Sequence, residues 1–261
     1  MNINQLKVIK KWFHAYVEDI TPDNDKLIHL IRLKYDHSLH VAENSRLIAE
    51  GMKWLKSDIN VAEALGLLHD VGRFSQVVEY RTFYDPDSIN HGERGFKVVG
   101  ESGILSALPQ NEQMKILDGI KFHNLITIPQ YVNSARLRFV KLIRDADKLD
   151  IYRIIYDTVK TKIFEEHPEI FLNIDFDGPI NPAALAQILN KETVSYRNVK
   201  SFKDFCLNQL SWMYDINYSL TFRLISEREI FKKVTAILPE DNGVQKAVRS
   251  VHAYMKKEGK G

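Results

Sequence analysis

Only one cysteine, Cys206, stands among the 261 residues. No intramolecular disulfide is available, and zinc sites built from two or more thiolates of this chain are excluded. Glycine (12) and proline (8) are too scarce for collagen-like or low-complexity chain. Charge of one sign is also missing: 36 Lys and Arg against 34 Asp and Glu leave a formal +2. That balance lacks the basic excess of a phosphate-tracking surface, so nucleic acid is not an expected partner. No apolar run reaches the 18 residues of a membrane span, and Lys7, Lys10 and Lys11 lead into Trp12, Phe13 and His14 rather than an export-type apolar segment. The expectation is a soluble, cytoplasmic protein in a reducing compartment.

What is present is a helical hydrophobic period almost throughout, with little strand-like alternation. An all-α fold follows. Predicted helices cover 3–19, 25–55 (with a bend or break near Lys34 to Asp36), a short segment capped by Asn60 and ending near Asp70, 91–101, 111–123 and 135–160. Irregular chain is expected at Gly72 and from Tyr80 to Asn90, where Asp85, Pro86 and Asp87 carry turn chemistry. The segment His167 to Pro182, with Pro179, Gly178 and paired aspartates, is the best boundary and has room for a short hairpin. It divides the chain into residues 1–165 and a helical extension, 166–261, packed on the core. That extension reads as helices at 183–190, 201–213, 216–236 and 239–257, with a frayed lysine-rich end. Trp212, Tyr214, Tyr218 and Phe222 read as core or subunit packing, and Lys232, Lys233, Lys246 and Arg249 as solvated faces. Nothing in the sequence points to a particular oligomeric state.

The informative residues are histidines at apolar helix positions, costly unless each imidazole has a partner. His37 shares a face with Val41, Ile48 and Met52; His69 follows Val61, Leu65 and Leu68; His123 follows Ile116 and Ile120. His91 heads a helix whose Gly95, Val98 and Val99 face inward. In Arg144-Asp145-Ala146-Asp147-Lys148-Leu149-Asp150, helical spacing aligns Asp147 with Val140, Ile143, Ile151 and Ile154, which predicts burial. Asp145 aligns with Arg138 and Lys141, an exposed, ion-paired face, and Asp150 is placed to orient a ligand. Each histidine alone also fits a core or edge residue; together, several buried imidazoles and carboxylates call for a shared divalent cation.

His37 in Tyr35-Asp36-His37-Ser38, the doublet His69-Asp70 in Leu68-His69-Asp70-Val71-Gly72-Arg73, and Asp147 in Asp145-Ala146-Asp147-Lys148 resemble the ordered motifs of the HD-domain superfamily over roughly residues 25–160. The resemblance implies an HD-domain helical core around divalent metal and, for most characterised members, phosphohydrolase activity. His91 and His123 fall where binuclear members carry two more histidines. The implied ligands are then His37, His69, Asp70, His91, His123 and Asp147, with two ions and Asp70 as the bridge. Nitrogen and oxygen donors suit Mn, Fe, Co, Mg or Zn without choosing among them. Asp70 is implicated directly in catalysis. Arg73 is placed where family members carry a basic group for phosphoryl oxygens, and Lys148 is a second candidate, equally readable as a surface ion pair.

Asp36, Glu93 and Lys121 are candidates for the general acid. The stretch from Glu79 to Arg94 reads as a loop over the site or as plain solvated chain. Phe122-His123-Asn124-Leu125 lacks the Gly-Tyr-Pro element of cyclic-dinucleotide phosphodiesterases, and Val71-Gly72-Arg73-Phe74 lacks the acidic pair of alarmone hydrolases. Three readings stay open: a phosphohydrolase acting on a small phosphate ester such as a nucleotide, a di-iron oxygenase like myo-inositol oxygenase, and a binding module without turnover.

Overall fold

Asn2 opens the first helix with a reciprocal cap, its Oδ1 accepting from the Asn4 and Gln5 amides while Gln5 Oε1 accepts from the Asn2 amide. The computed structural model describes residues 1–22, 24–161 and 174–259. Its α-helices are α1 (Ile3–Ile20), α2 (Asp25–Gly51), α3 (Lys56–Leu68), α4 (Val71–Tyr80), α5 (His91–Glu101), α6 (Gln110–Phe122), α7 (Ser134–Thr161), α8 (Pro182–Leu189), α9 (Phe202–Ser211), α10 (Ser219–Glu227), α11 (Ile230–Ala236) and α12 (Asn242–Glu258). No strand occurs among the described residues, so the fold is all-α; a lone parallel bridge joins Asp175 to Ser201. Residues 167–173 of the expected hairpin region lie outside the described residues, as does Lys260 of the frayed end.

Several boundaries differ from expectation for identifiable reasons. Helix α2 runs unbroken through Lys34 to Asp36 and stops at Gly51, leaving Met52 past its end and exposed instead of on the buried face. Helix α3 begins at Lys56, and Asn60 lies buried within it, donating to the Met1 carbonyl at 3.0 Å rather than capping. Gly72 sits inside α4, where irregular chain was expected. A Cβ on it would come 2.2 Å from the His91 carbonyl oxygen, so here glycine marks a close helix crossing and not a turn. The predicted 216–236 helix is two helices, α10 and α11, parted at Arg228 and Glu229; Glu229 has φ +53°.

The residues group into two compact units, Met1–Asp150 and Ile151–Gly261, which divide within α7 and not at 165/166. In the first unit α2 packs on α3, α4 on α5, α5 on α6, and α3 on both α1 and α6. Gly66 permits the α2–α3 approach, since a Cβ there would meet Ala42 Cα at 2.6 Å. Phe13, Ile48, Leu65, Leu68, Phe74, Ile116, Ile120 and Phe139 are fully buried, each such side chain contributing about 1.5–3 kcal/mol. Asn44 of α2 donates to the Ala146 carbonyl of α7 at 3.1 Å, which ties the helix carrying His37 to the one carrying Asp147. In the second unit α8 packs against α9 and α12 around Ala184, Ile188, Cys206, Leu210, Val244, Ala247 and Val251. Trp212 and Phe222 are buried and Tyr214 and Tyr218 half-buried, as packing residues should be, whereas Lys233 lies over the Tyr156 ring at 5.0 Å.

Candidate metal centre

The His69-Asp70 doublet is the joint between two helices: His69 ends α3 and Asp70 precedes α4. A residue in the Asp70 position commonly caps the following helix with its side chain. Asp70 makes no such cap bond, so its carboxylate is left facing the interior. His123 ends α6 as His69 ends α3, and both rings use the same local device. Nδ1 lies 2.8 Å from the Gly66 carbonyl oxygen in His69 and 2.7 Å from that of Ile120 in His123. Each ring thereby satisfies a carbonyl that the helix end leaves without an intrahelical donor.

The other two imidazoles are anchored through Nδ1 by carboxylates. His37 Nδ1 is 2.7 Å from Asp150 Oδ2, and His91 Nδ1 is 2.7 Å from Asp85 Oδ2. An oxygen acceptor at Nδ1 assigns the ring proton there, so the Nε2 lone pair of the neutral ring points the opposite way in all four residues. Those four Nε2 atoms converge on Asp70. Its Oδ2 lies 3.6 Å from His37 Nε2 and from His69 Nε2, and its Oδ1 lies 3.5 Å from His91 Nε2 and from His123 Nε2. Asp147 Oδ1 closes the first group, 3.1 Å from His37 Nε2 and 3.7 Å from His69 Nε2. Three overlapping sets result, each with its donor atoms within 4.8 Å: His37, His69 and Asp70; His69, His123 and Asp147; and Asp70, His91 and His123.

A divalent cation fits these donors on two grounds. Donors bound about 2.1 Å from one ion at angles of 90–120° lie roughly 3–3.6 Å apart, the range spanned by most of these separations. The second ground is an unmet need: Nε2 of His37 and of His69 is buried without a hydrogen-bond partner, and Nε2 of His91 faces Nε2 of His123 at 3.1 Å. Two lone pairs so opposed repel unless a cation or proton lies between them.

The protein supplies cations of its own around Asp70. Lys34 Nζ is 2.8 Å from Oδ2, and Arg73 Nε is 3.7 Å from Oδ1. Burial would raise the Asp70 pKa, but Lys34, His69, His123 and Arg73 outweigh it and hold the carboxyl well below the usual range. Asp147 is likewise held low against burial by His37 and His69. Burial depresses His69, and burial together with Arg73 brings His91 down to about 3, so these rings stay neutral. His37 goes the other way: burial and Lys34 oppose its proton, yet Asp147 and Asp150 prevail.

The sequence-predicted residues fall as follows. His37, His69, Asp70, His91, His123 and Asp147 come together, and Asp150 orients His37. His40 is exposed and turned to the Asp36 carbonyl. Two face assignments are corrected. Asp145, expected to be exposed, is fully buried, and Asp147, expected to be buried, keeps 19% of its side chain accessible. Burial extends around α7 here, taking in every residue from Leu142 to Asp150 except Asp147. Arg73 is engaged by the 80s loop, its Nη1 donating to the Phe83 carbonyl, to Gln76 at 2.8 Å and to Asp85 at 2.8 Å. Lys148 is buried, with Nζ 3.4 Å from the Arg144 carbonyl. Asp36 is exposed, while Glu93 pairs with Lys121 at 3.4 Å. Sequence reasoning missed Lys34 and Asp85. Lys34 lies three residues before His37 on the same helix, a signal that spacing offered; Asp85 carried only turn chemistry.

This helical domain gathers four inward-aimed imidazoles and two carboxylates in clusters that could hold a divalent metal ion. Residues 35–152 match the family model of the HD domain, the superfamily that the sequence motifs resemble. HD domains are in general metal-dependent phosphohydrolases. No curated protein and no solved structure matches the chain. Among the described residues no helix is long and apolar enough to cross a membrane.

Proposed function

We propose that this protein is a divalent-metal-dependent phosphohydrolase that cleaves a small phosphate ester, a nucleotide among the candidates, at a binuclear centre. The observation that carries the reading is the common orientation of the four imidazoles: every Nδ1 is held by an oxygen, and every Nε2 is aimed at one carboxylate. His37, His69 and Asp147 would hold one ion, His91 and His123 the other, and Asp70 would present one oxygen to each. When bound, such ions supply the positive charge that polarises a phosphoryl group and lowers the pKa of a water toward neutrality.

The chain's own residues do the rest. Asp150 and the Gly66 and Ile120 carbonyls keep the ring tautomers that leave Nε2 free to ligate. Lys34, beside Asp70 Oδ2, is the protein cation nearest the centre and is placed to pair with a phosphoryl oxygen. Arg73 supports the centre from behind, through Asp85, rather than as a free anion-binding group.

The test is elemental mass spectrometry on protein purified without chelator, followed by phosphate release from a panel of nucleotides and small phosphate esters. Two ions per chain and turnover of at least one ester are expected. Iron with oxygen consumption and no ester turnover would replace the reading with an oxygenase, and retained metal with neither activity would replace it with a binding module. Restoring metal to chelated protein is expected to raise the unfolding free energy by about 2.7 kcal/mol for each ion at a hundredfold excess over its Kd. Differential scanning calorimetry reads that gain as roughly 5–10 °C.

A further inference from the structure

The two halves of this centre are built differently. In the half containing His37, His69 and Asp147, the ring anchors are Asp150 on α7 and the Gly66 carbonyl at the end of α3. In the other half, His123 has a helix-end carbonyl, but His91 depends on Asp85, which belongs to a single 3-10 turn, Asp85–Asp87, in the segment linking α4 to α5. Asp85 is a point of convergence. Oδ1 accepts from Arg73 at 2.8 Å and Gln76 at 3.0 Å, and Oδ2 accepts from Asn124, the residue after His123, at 3.2 Å. The turn itself is tied to α4 by Arg73 on the Phe83 carbonyl and by Gln76 on Ser88 Oγ and the Ile89 carbonyl.

We propose that Asp85 is the positioning residue of the second cation position, so that the two positions fill unequally: the one on α2, α3 and α7 first, the one at His91 and His123 only with Asp85 in place. The inference rests on the two-ion reading above. Two effects act in the same direction. With an amide in place of the carboxylate, the His91 ring keeps only a neutral, weaker acceptor to turn Nε2 toward Asp70. The Arg73 guanidinium, 3.7 Å from Asp70 Oδ1, also loses the negative charge that offsets its own, and it then opposes binding there. Neither effect reaches His37, whose anchor is Asp150.

The experiment titrates metal-free full-length protein and Asp85→Asn with Mn2+, counting bound ions from the loss of the free-ion electron paramagnetic resonance signal. Wild type is expected to take two ions. Asp85→Asn should take the first with wild-type affinity and the second about 10–100-fold more weakly, the usual scale for losing a ligand's outer partner. Circular dichroism and thermal melting establish that the variant folds. Should it not fold, Asp85→Glu, which keeps the charge on Arg73 but displaces the anchor, is expected to show the same selective loss. Wild type taking two ions while either folded variant binds both as tightly, or loses both equally, would overturn the inference alone. Wild type taking fewer than two would overturn the two-ion reading and the inference with it.

Discussion

Gly72→Ala tests whether the α4–α5 crossing sets the geometry of the centre. The added Cβ would lie 2.2 Å from the His91 carbonyl oxygen and 2.6 Å from the Gly95 amide nitrogen, both backbone atoms of α5. No side chain can rotate away, so α5 must retreat by about 1.2 Å to reach ordinary contact, and His91 is its first residue. Overpacking of this kind costs about 1–3 kcal/mol, and a backbone clash this close belongs at the upper end. Replacing a helical glycine by alanine returns about 0.5–1 kcal/mol, which leaves a net loss near 2 kcal/mol. For a unit of this size that is a fall of roughly 4–8 °C in Tm. Gly100→Ala on α5 is the control: nothing lies within 4 Å of its Cβ and the position is exposed, so only the helix gain applies and Tm should rise by a few degrees. Calorimetry of both variants, with Mn2+ stoichiometry beside it, checks the reasoning. An unchanged Tm and a full complement of ions in Gly72→Ala would refute it.

In metal-free protein His91 is neutral down to about pH 3, whereas the unfolded chain takes up that proton near 6.5. Between those values the unfolded state binds more protons, so stability falls as pH falls through this window, by at most about 2 kcal/mol between pH 7 and 5 for this residue. His69 adds to the trend, while His37, its pKa raised, opposes it by stabilising the fold below its unfolded pKa. Urea denaturation of wild type and His91→Gln at pH 7 and pH 5 is the check, and the variant should lose distinctly less. The pair Asp145→Asn and Asp147→Asn separates packing from ligation. Asp147→Asn should lose bound metal with little change in the chelated protein's Tm, and Asp145→Asn should keep its metal while melting lower, because Asp145 is wholly buried. Elemental mass spectrometry and calorimetry on both decide it, and metal lost from the Asp145 variant alone would reverse the assignment.

Much of the centre was legible in one dimension because helical period is a local property. His37, His69 and His123 declared themselves by occupying apolar positions, where an imidazole needs a partner, and the motif order joined them to Asp70 and Asp147. The period failed on α7. It assigns faces on the assumption that one side of a helix meets solvent, and α7 is packed around its circumference at Asp145, so burial there followed from neighbours that no spacing within the helix records. Gly72 misled for a related reason: glycine serves a turn and a close helix crossing alike, and only the approach of α5 told which.

What the sequence by itself determined is the all-α class and the inward imidazoles, which follow from residue type and periodicity along the chain, while the ordered ligand set rested on the resemblance of its motifs to the HD-domain superfamily. Tertiary structure alone decided which nitrogen of each ring faces inward, because that depends on the acceptor at Nδ1. For His69 and His123 the acceptor is a carbonyl three residues back. For His37 it is a carboxylate 113 residues away, brought near by the packing of α2 against α7. It likewise set Arg73 against Gln76, the Phe83 carbonyl and Asp85, since a guanidinium takes whichever acceptors the fold sets within its reach.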